Sequence, residues 1–314
     1  MTQLALVGDI GGTNSRFGLV EPGTQAIHDV AALKNDRFGA LEEAVEAYLQ
    51  ARGIGALAAA AIAVAGPVLG DSAQLTNRNW SFSSASLRRA AQSRSFRLLN
   101  DYEALALSLP HLAARDLEQV GGEAPDPTRV KIVLGPGTGL GMAALARLPR
   151  GGWLAIPGEV GHITLPIETQ EEFDWREAMK TPGHTFTSED AVTGGGLLRM
   201  YQARARTPGL ATPEAVLQAG LAGSDADAVA TVDQFVIWLA RIAGDAAMSL
   251  QAKGGVYLAG GIVPSLVAKL REGPFRAVFE DKGKLAAIMK PIPVYVIIEP
   301  FPALKGCAAA LAQE

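Results

Sequence analysis

Six consecutive residues, Asp9-Ile10-Gly11-Gly12-Thr13-Asn14, place a carboxylate, two residues without Cβ atoms, a hydroxyl and a side-chain amide at what reads as a tight reversal. Glycine permits positive φ and close backbone approach, so Gly11 and Gly12 can leave N–H groups pointing at phosphate oxygens, with Thr13 and Asn14 adding side-chain donors. Asp9 would repel a bare phosphate, but it becomes a sensible neighbour when Mg2+ lies between them, directly or through water. The competing reading is a hairpin turn that uses Asp and Gly for steric reasons alone. Against it stand a second glycine turn, Gly135-Pro136-Gly137-Thr138-Gly139, and a third, Gly260-Gly261, which could together surround one nucleotide. Neither of the first two is a Walker A loop, because no Gly-Lys-Ser/Thr follows the glycines. A dinucleotide fingerprint needs a helix where the second turn is followed by a strand pattern.

A second set of residues carries groups suited to a polyhydroxylated ligand. Asn100-Asp101 closes an apolar strand pattern and opens a helix pattern, and ligand sites in α/β sheets collect at the carboxyl ends of strands. Asn or Asp there is equally an ordinary helix N-cap. Glu159 and His162 stand three residues apart between glycines, in a loop after a strand at Trp153 to Ile156. Glu189 opens a helix that Ser188 could cap, a place where a carboxylate also serves as plain dipole stabilisation. His28, His111 and His184 are scattered and read as surface or local hydrogen-bonding residues, and Cys307 reads as helix packing.

The elements that must hold these groups follow from hydrophobic periodicity. Residues 3–8 and 15–20 read as strands around the first glycine turn, 26–33 as a third strand, and 38–51 as a helix. Strands follow in 56–68, 74–76 and 96–100, with helices near 84–92 and 102–109. Residues 121–129, rich in Gly, Pro and Asp, read as a surface connection. The pattern then restarts: 129–146 again gives strand, glycine turn, strand, with Gly137-Thr138 in the place of Gly12-Thr13, an indication of duplication. Residues 168–253 are mainly helical, with a long apolar helix around 232–250, before a strand and turn at 255–263, a strand in "PVYVII" and a helix at 303–312.

At 314 residues, two domains are the better expectation. A composition of 48% hydrophobic and 19% charged residues is that of a globular chain able to bury a large core. With 28 Lys and Arg against 32 Asp and Glu and no basic run, the chain has no electrostatic footprint for nucleic acid. The uncharged stretch 53–70 is broken by Gly66-Pro67 and dominated by Ala, which argues for a buried strand and against a membrane segment. A single cysteine, with no Cys/His cluster at zinc spacing, points to a reduced, cytoplasmic compartment.

Taken in order, "LVGDIGGTNSR", "TNRNW", "LLNDYEALA", "GPGTGLG", "PGEVGH", "EDAVTGGGL", "LAGGIVP" and "FRAVFEDKG" resemble the bacterial glucokinase family over most of the chain. The resemblance implies an α/β, two-domain actin-like ATPase (ribonuclease H-like) fold with its active site in the interdomain cleft. The smaller domain would be 1–110, completed by 300–314, and the larger 111–299 with a helical insertion. It implies ATP-dependent phosphorylation of D-glucose at the 6-hydroxyl, ATP and Mg2+ at the glycine turns, and a homodimer. By this carry-over Asn100, Asp101, Glu159, His162 and Glu189 are glucose ligands, with Asp101 the catalytic base. Gly11, Gly12, Thr13, Asn14, Gly137 and Thr138 contact phosphate, Asp9 meets Mg2+ through water, and Gly260 and Gly261 lie near adenosine. Val160 stands where some relatives carry Gly, and Asp190 where the family pattern has a basic residue, which bears on affinity and sugar range. The alternatives are a kinase for another hexose and an actin-like nucleotide-binding protein without catalysis.

Overall fold

The computed structural model describes residues 4–75, 78–205 and 209–313. Contacts divide the chain into two units, one of Met1–Ala113, Arg147–Pro157 and Glu299–Glu314, the other of Ala114–Ala146 and Gly158–Ile298. The expected range 111–299 is thus interrupted by Arg147–Pro157, which groups with the first unit.

The first unit is built on β1 (Ala5–Ile10), a strand buried along almost its whole length. It pairs antiparallel with β2 (Asn14–Val20), which in turn pairs with β3 (Ile27–Lys34). A 3-10 turn at Asn35–Arg37 then leads to α1 (Leu41–Gln50), whose Leu41, Ala44, Val45, Tyr48 and Leu49 form the buried stripe. On the other side β1 pairs parallel with β4 (Leu57–Val64), and β4 pairs parallel with a later strand. A small antiparallel sheet of β5 (Val68–Leu69), β6 (Ser72–Gln74) and β7 (Ser81–Ser83) follows. The strand expected at 74–76 therefore ends at Gln74; Thr76, with Asn77 of the "TNRNW" motif, lies outside the described residues. Ser83 and Ser86 cap α2 (Ser84–Ala90) reciprocally, each hydroxyl accepting the other's backbone N–H at 3.1 Å. The strand β8 (Ser93–Asn100) and helix α3 (Asp101–Ser108) complete this stretch, giving the sheet order β3-β2-β1-β4-β8.

The second sheet contains β9 (Leu117–Gly121), β10 (Lys131–Pro136), β11 (Leu140–Arg147) and β12 (Trp153–Gly158). After them come the helices α4 (Gln170–Met179), α5 (Ser188–Ala191), α6 (Gly194–Arg204), α7 (Pro213–Ala222) and α8 (Ala226–Leu250). The last begins before the expected 232, because Asp225 accepts the Ala228 N–H at 2.8 Å and so caps a turn of small residues. Then come β13 (Val256–Leu258), α9 (Val267–Glu272), α10 (Phe275–Glu280), α11 (Ala286–Met289) and β14 (Val294–Ile297), in the sheet order β12-β11-β10-β13-β14-β9.

The two sheets repeat one plan. In each, an antiparallel hairpin (β1–β2, β10–β11) lends its first strand to a parallel partner (β4, β13), which pairs parallel with a further strand (β8, β14). The duplication read from two glycine turns extends to whole sheets, though the hairpins close differently. The pair Ile10↔Ser15 encloses residues 11–14, whereas Pro136↔Leu140 encloses only 137–139.

The chain ends in α12 (Pro302–Leu311), which lies against α3, β4 and β1 of the first unit. The small residues of β4, "LAAAAIAV", and the Ala-rich helix allow this close approach. Among the described residues no helix is long and apolar enough to cross a membrane.

Candidate functional site

In the first unit, sheet register sets the candidates in a row. Ile10 is opposite Val64, and Val64 is opposite Asn100, so β1, β4 and β8 end level with one another. The glycine turn after β1 and the Asn100-Asp101 step after β8 therefore emerge at the same carboxyl edge, two strand spacings or about 10 Å apart.

Asp9 is directly opposite Arg16 across the hairpin, with Arg16 Nη1 at 3.5 Å from its carboxylate. Burial pushes the Asp9 carboxyl above its usual range, against the pull of Arg16. Arg16 escapes a motif reading, yet it follows from the hairpin register. The turn itself differs from expectation: Gly11 and Gly12 are not among the glycines with positive φ. A Cβ on Gly11 would meet only the Asn14 carbonyl oxygen, at an ordinary 3.6 Å. The Gly11 N–H is also spent, donated to that carbonyl at 3.0 Å to close the turn. What remains to face a phosphate is the backbone of Gly12 and Thr13, with Thr13 exposed.

Asn100 is the N-cap of α3. Its side-chain oxygen accepts the N–H groups of Tyr102 (2.9 Å) and Glu103 (3.3 Å), and its amide donates to the Gly66 carbonyl at 3.0 Å. Only one of its side-chain N–H donors is left for a ligand. Half-buried Asp101 opens the helix with one carboxylate oxygen 3.0 Å from the Tyr102 N–H.

The second unit holds the other glycine turns and carboxylates. Gly137 donates its N–H to the Gly139 carbonyl at 2.7 Å and accepts the Gly194 N–H at 3.2 Å, with Thr138 exposed at the tip. Gly260 has φ +102°, and a Cβ there would lie 2.2 Å from the Pro136 carbonyl; one on Gly135 would lie 1.8 Å from the Ala259 carbonyl. The second and third turns thus interlock through their backbones, leaving Gly261 exposed with open space around its Cβ position.

Beside them, Glu189 Oε2 accepts the Leu140 N–H at 2.9 Å. A Cβ on Gly139 would lie 2.7 Å from that oxygen and one on Gly161 3.2 Å from it. Glu159 precedes a 3-10 turn at Val160–His162, and its carbonyl accepts the His162 N–H at 3.1 Å; both side chains are exposed. Thr187, not Ser188, stands at the N-cap of α5, its N–H (2.8 Å) and hydroxyl (2.9 Å) both donating to Asp190. Ser188 instead donates its N–H (2.9 Å) and hydroxyl (3.3 Å) to Ile163, tying the His162 loop to the helix that carries Glu189. Asp190 is therefore committed to the cap. Glu189 thus lies against both the Gly137–Gly139 turn and Gly161 of the loop that carries Glu159 and His162.

Cys307 is fully buried, with its thiol donating to the Gly8 carbonyl at 3.3 Å; burial and the nearby Asp9 push its pKa up, so it is no nucleophile. Among the described residues no group of three or more His, Cys, Asp or Glu could hold a metal ion. Asp9, a single half-buried carboxylate beside the first glycine turn, fits a Mg2+ held chiefly by water and phosphate oxygens.

The family model described as Glucokinase matches residues 6–314. The chain is 44% identical over 314 residues to the glucokinase of Chromobacterium violaceum, covering 98% of this chain and 89% of that one. It is 39% identical over 311 residues to that of Neisseria meningitidis serogroup C, covering 98% and 94%. Among solved structures, a glucokinase from an Antarctic psychrotroph superposes with a TM-score of 0.88 at 28% identity over the whole of both chains. A duplicated sheet plan with glycine turns after matching strands is the actin-like ATPase architecture, and with these matches the chain belongs to the glucokinase family, the enzymes that phosphorylate glucose with ATP.

Proposed function

We propose that the chain transfers the γ-phosphoryl group of ATP to the 6-hydroxyl of D-glucose, with Asp101 as the base. Asp101 accepts the hydroxyl proton as the oxygen attacks phosphorus. The remaining catalysis is positioning and charge stabilisation. Asn100, Glu159, His162 and Glu189 hold the sugar hydroxyls. Gly12, Thr13 and Asn14, with Gly11 keeping the turn bare of side chain, and Gly137 with Thr138 receive the phosphates, and Gly260 and Gly261 border the adenosine. Mg2+, held through water by Asp9, neutralises phosphate charge when bound. The protein acts in the cytoplasm as a homodimer; a single buried cysteine suits a reducing compartment, and mass in solution tests the dimer.

The observation that carries this reading is the seating of Glu189. Its carboxylate is bonded to Leu140, at the exit of the second glycine turn, and sits against Gly161 of the Glu159–His162 loop. A carboxylate fixed between a phosphate turn and a second acid–imidazole pair suits a hydroxyl presented to a phosphoryl donor.

The test is ADP formation with Mg-ATP and glucose, beside fructose, mannose and N-acetylglucosamine, in the native chain and in Asp101→Asn. Turnover with glucose, reduced on the order of 10²–10⁴-fold in kcat in the variant with glucose binding kept, is expected. Turnover with another sugar alone moves the substrate. Near-native kcat in Asp101→Asn removes the base, and silence with every sugar favours a non-catalytic nucleotide-binding role.

A further inference from the structure

Three successive carbonyl groups of the first glycine turn accept hydrogen bonds from just two residues, Asn35 and Arg78. The Gly11 oxygen accepts the Asn35 side-chain amide at 2.8 Å, the Gly12 oxygen accepts Arg78 Nε at 3.0 Å, and the Thr13 oxygen accepts the Asn35 backbone N–H at 3.0 Å. The two donors are themselves joined, because Arg78 Nη1 donates to the Asn35 carbonyl at 3.0 Å. Asn35 is fully buried, and its side-chain oxygen accepts the hydroxyl of equally buried Ser15 at 2.7 Å, which fixes which way its amide faces. The Arg78 guanidinium is steadied over the Trp80 ring, 5.1 Å from its centroid.

We infer that Asn35 and Arg78 are positioning residues that aim the phosphate turn, an inference that rests on the reading of Gly11–Asn14 as a phosphate site. In a planar trans peptide the C=O and the N–H of the next residue point in opposite directions. Holding the Gly11 oxygen to one side therefore directs the Gly12 N–H to the other, and holding the Gly12 oxygen does the same for the Thr13 N–H. The Thr13 carbonyl anchors the exit of the turn. Without these bonds each peptide could rotate and present an oxygen to the phosphate, and neither glycine resists such rotation sterically. The Arg78 bond to Gly12 is charge-assisted, and polarising that peptide makes the Thr13 N–H a stronger donor. Neither residue touches the phosphate side of the turn in this account; each acts through the backbone.

The experiment measures binding of the non-hydrolysable analogue AMPPNP by calorimetry, with glucose binding and melting temperature as folding controls. The variants are Asn35→Ala, Arg78→Met, Arg78→Lys and Gly12→Val. Asn35→Ala and Arg78→Met should each weaken AMPPNP about tenfold, the effect of one lost bond to an orienting carbonyl, with glucose affinity kept. In turnover, KM for ATP should rise more than kcat falls. Arg78→Lys should not restore binding, because one compact ammonium cannot span the Gly12 and Asn35 carbonyls. Native AMPPNP affinity in Asn35→Ala and Arg78→Met, with affinity lost in Gly12→Val, overturns the positioning role alone. Full recovery in Arg78→Lys with Asn35→Ala unaffected also overturns it, in favour of simple charge attraction. Native affinity in Gly12→Val overturns the phosphate reading itself.

Discussion

Glu189 and Leu140 are joined by a hydrogen bond of 2.9 Å from the Leu140 N–H to Oε2 of the carboxylate, across a gap that two glycines keep open. A Cβ on Gly161 would lie 2.5 Å from the Leu140 carbonyl oxygen as well as 3.2 Å from Oε2. Backbone cannot yield as a flexible side chain does, so Gly161→Ala must displace the turn that carries Glu159 and His162. Steady-state kinetics should show KM for glucose raised on the order of 10- to 100-fold, with KM for ATP much less affected. Equal changes in both constants would mean that the loop does not serve the sugar.

Asp9 is expected to cost stability where it serves function. Its folded-state pKa is raised above the usual 3.8 by burial, against Arg16, so the folded chain favours the neutral form. Its contribution is greatest at low pH, declines as pH rises from 3.8 through the raised folded value, and stays reduced above it. Asp9→Asn should therefore melt higher than the native chain at pH 7, with the gap closing below pH 3.8. The same variant should lose Mg-dependent nucleotide binding. A lower melting temperature at pH 7 would show that Arg16 outweighs burial.

How far the sequence revealed this site depends on the range of each contact. The glycine turns are visible because strand, Gly-rich reversal and strand are contiguous, and the row from Ile10 through Val64 to Asn100 follows once the apolar runs of three parallel strands each give way within two residues to a glycine or a polar residue. Arg16 was within reach through the cross-strand pair with Asp9. Asn35 and Arg78 were not: they reach the turn from 24 and 66 residues away, and nothing local marks a residue that bonds a distant carbonyl. Positive φ was the wrong reason for Gly11 and Gly12, since a four-residue closure needs no left-handed residue there, whereas Gly260 does adopt it. The cap of α5 was misplaced by one residue because Thr187 and Ser188 are both competent, and the Ile163 carbonyl, invisible in sequence, claims Ser188.

The loop after His162 is anchored by a buried ion pair. Arg241 on α8 donates to both Glu172 oxygens, at 3.0 and 3.1 Å, and to the Pro166 carbonyl at 2.9 Å, while Glu172 also accepts from Gln234 and the Glu168 N–H. Burial alone would raise the Glu172 pKa; the donors around it prevail and hold it below the usual 4.5. The pair's stability is thus present above pH 4.5 and is lost as pH falls through the lower folded value. Arg241→Met leaves a buried charge without its partner and should cost about 3–5 kcal/mol in urea unfolding at pH 7. Adding Glu172→Gln removes the stranded charge and keeps one amide oxygen to accept from Gln234, while the Glu168 N–H loses its acceptor, so it should recover part of that loss. No recovery would locate the stabilisation in the Arg241 contacts with the Pro166 carbonyl and the Glu168 carboxylate.

Gly306 in α12 shows how far the terminal helix governs α3. A Cβ there would lie 1.7 Å from the Ala104 carbonyl oxygen and 3.0 Å from its Cα, so the two helices touch backbone to backbone. Gly306→Ala gains helix propensity but must push α3 away, and overpacking of this kind costs about 1–3 kcal/mol, here at the upper end because the obstacle is main chain. Since α3 begins at Asp101, the displacement should reach the proposed base: kcat should fall along with melting temperature, and the residual kcat of the folded fraction should still be reduced. Gly55→Ala is the control, a glycine with open space around its Cβ position and no positive φ, which should leave kcat untouched and stability equal or slightly higher. If Gly306→Ala lowers only the melting temperature, α12 supports the fold of the first unit without setting the position of Asp101.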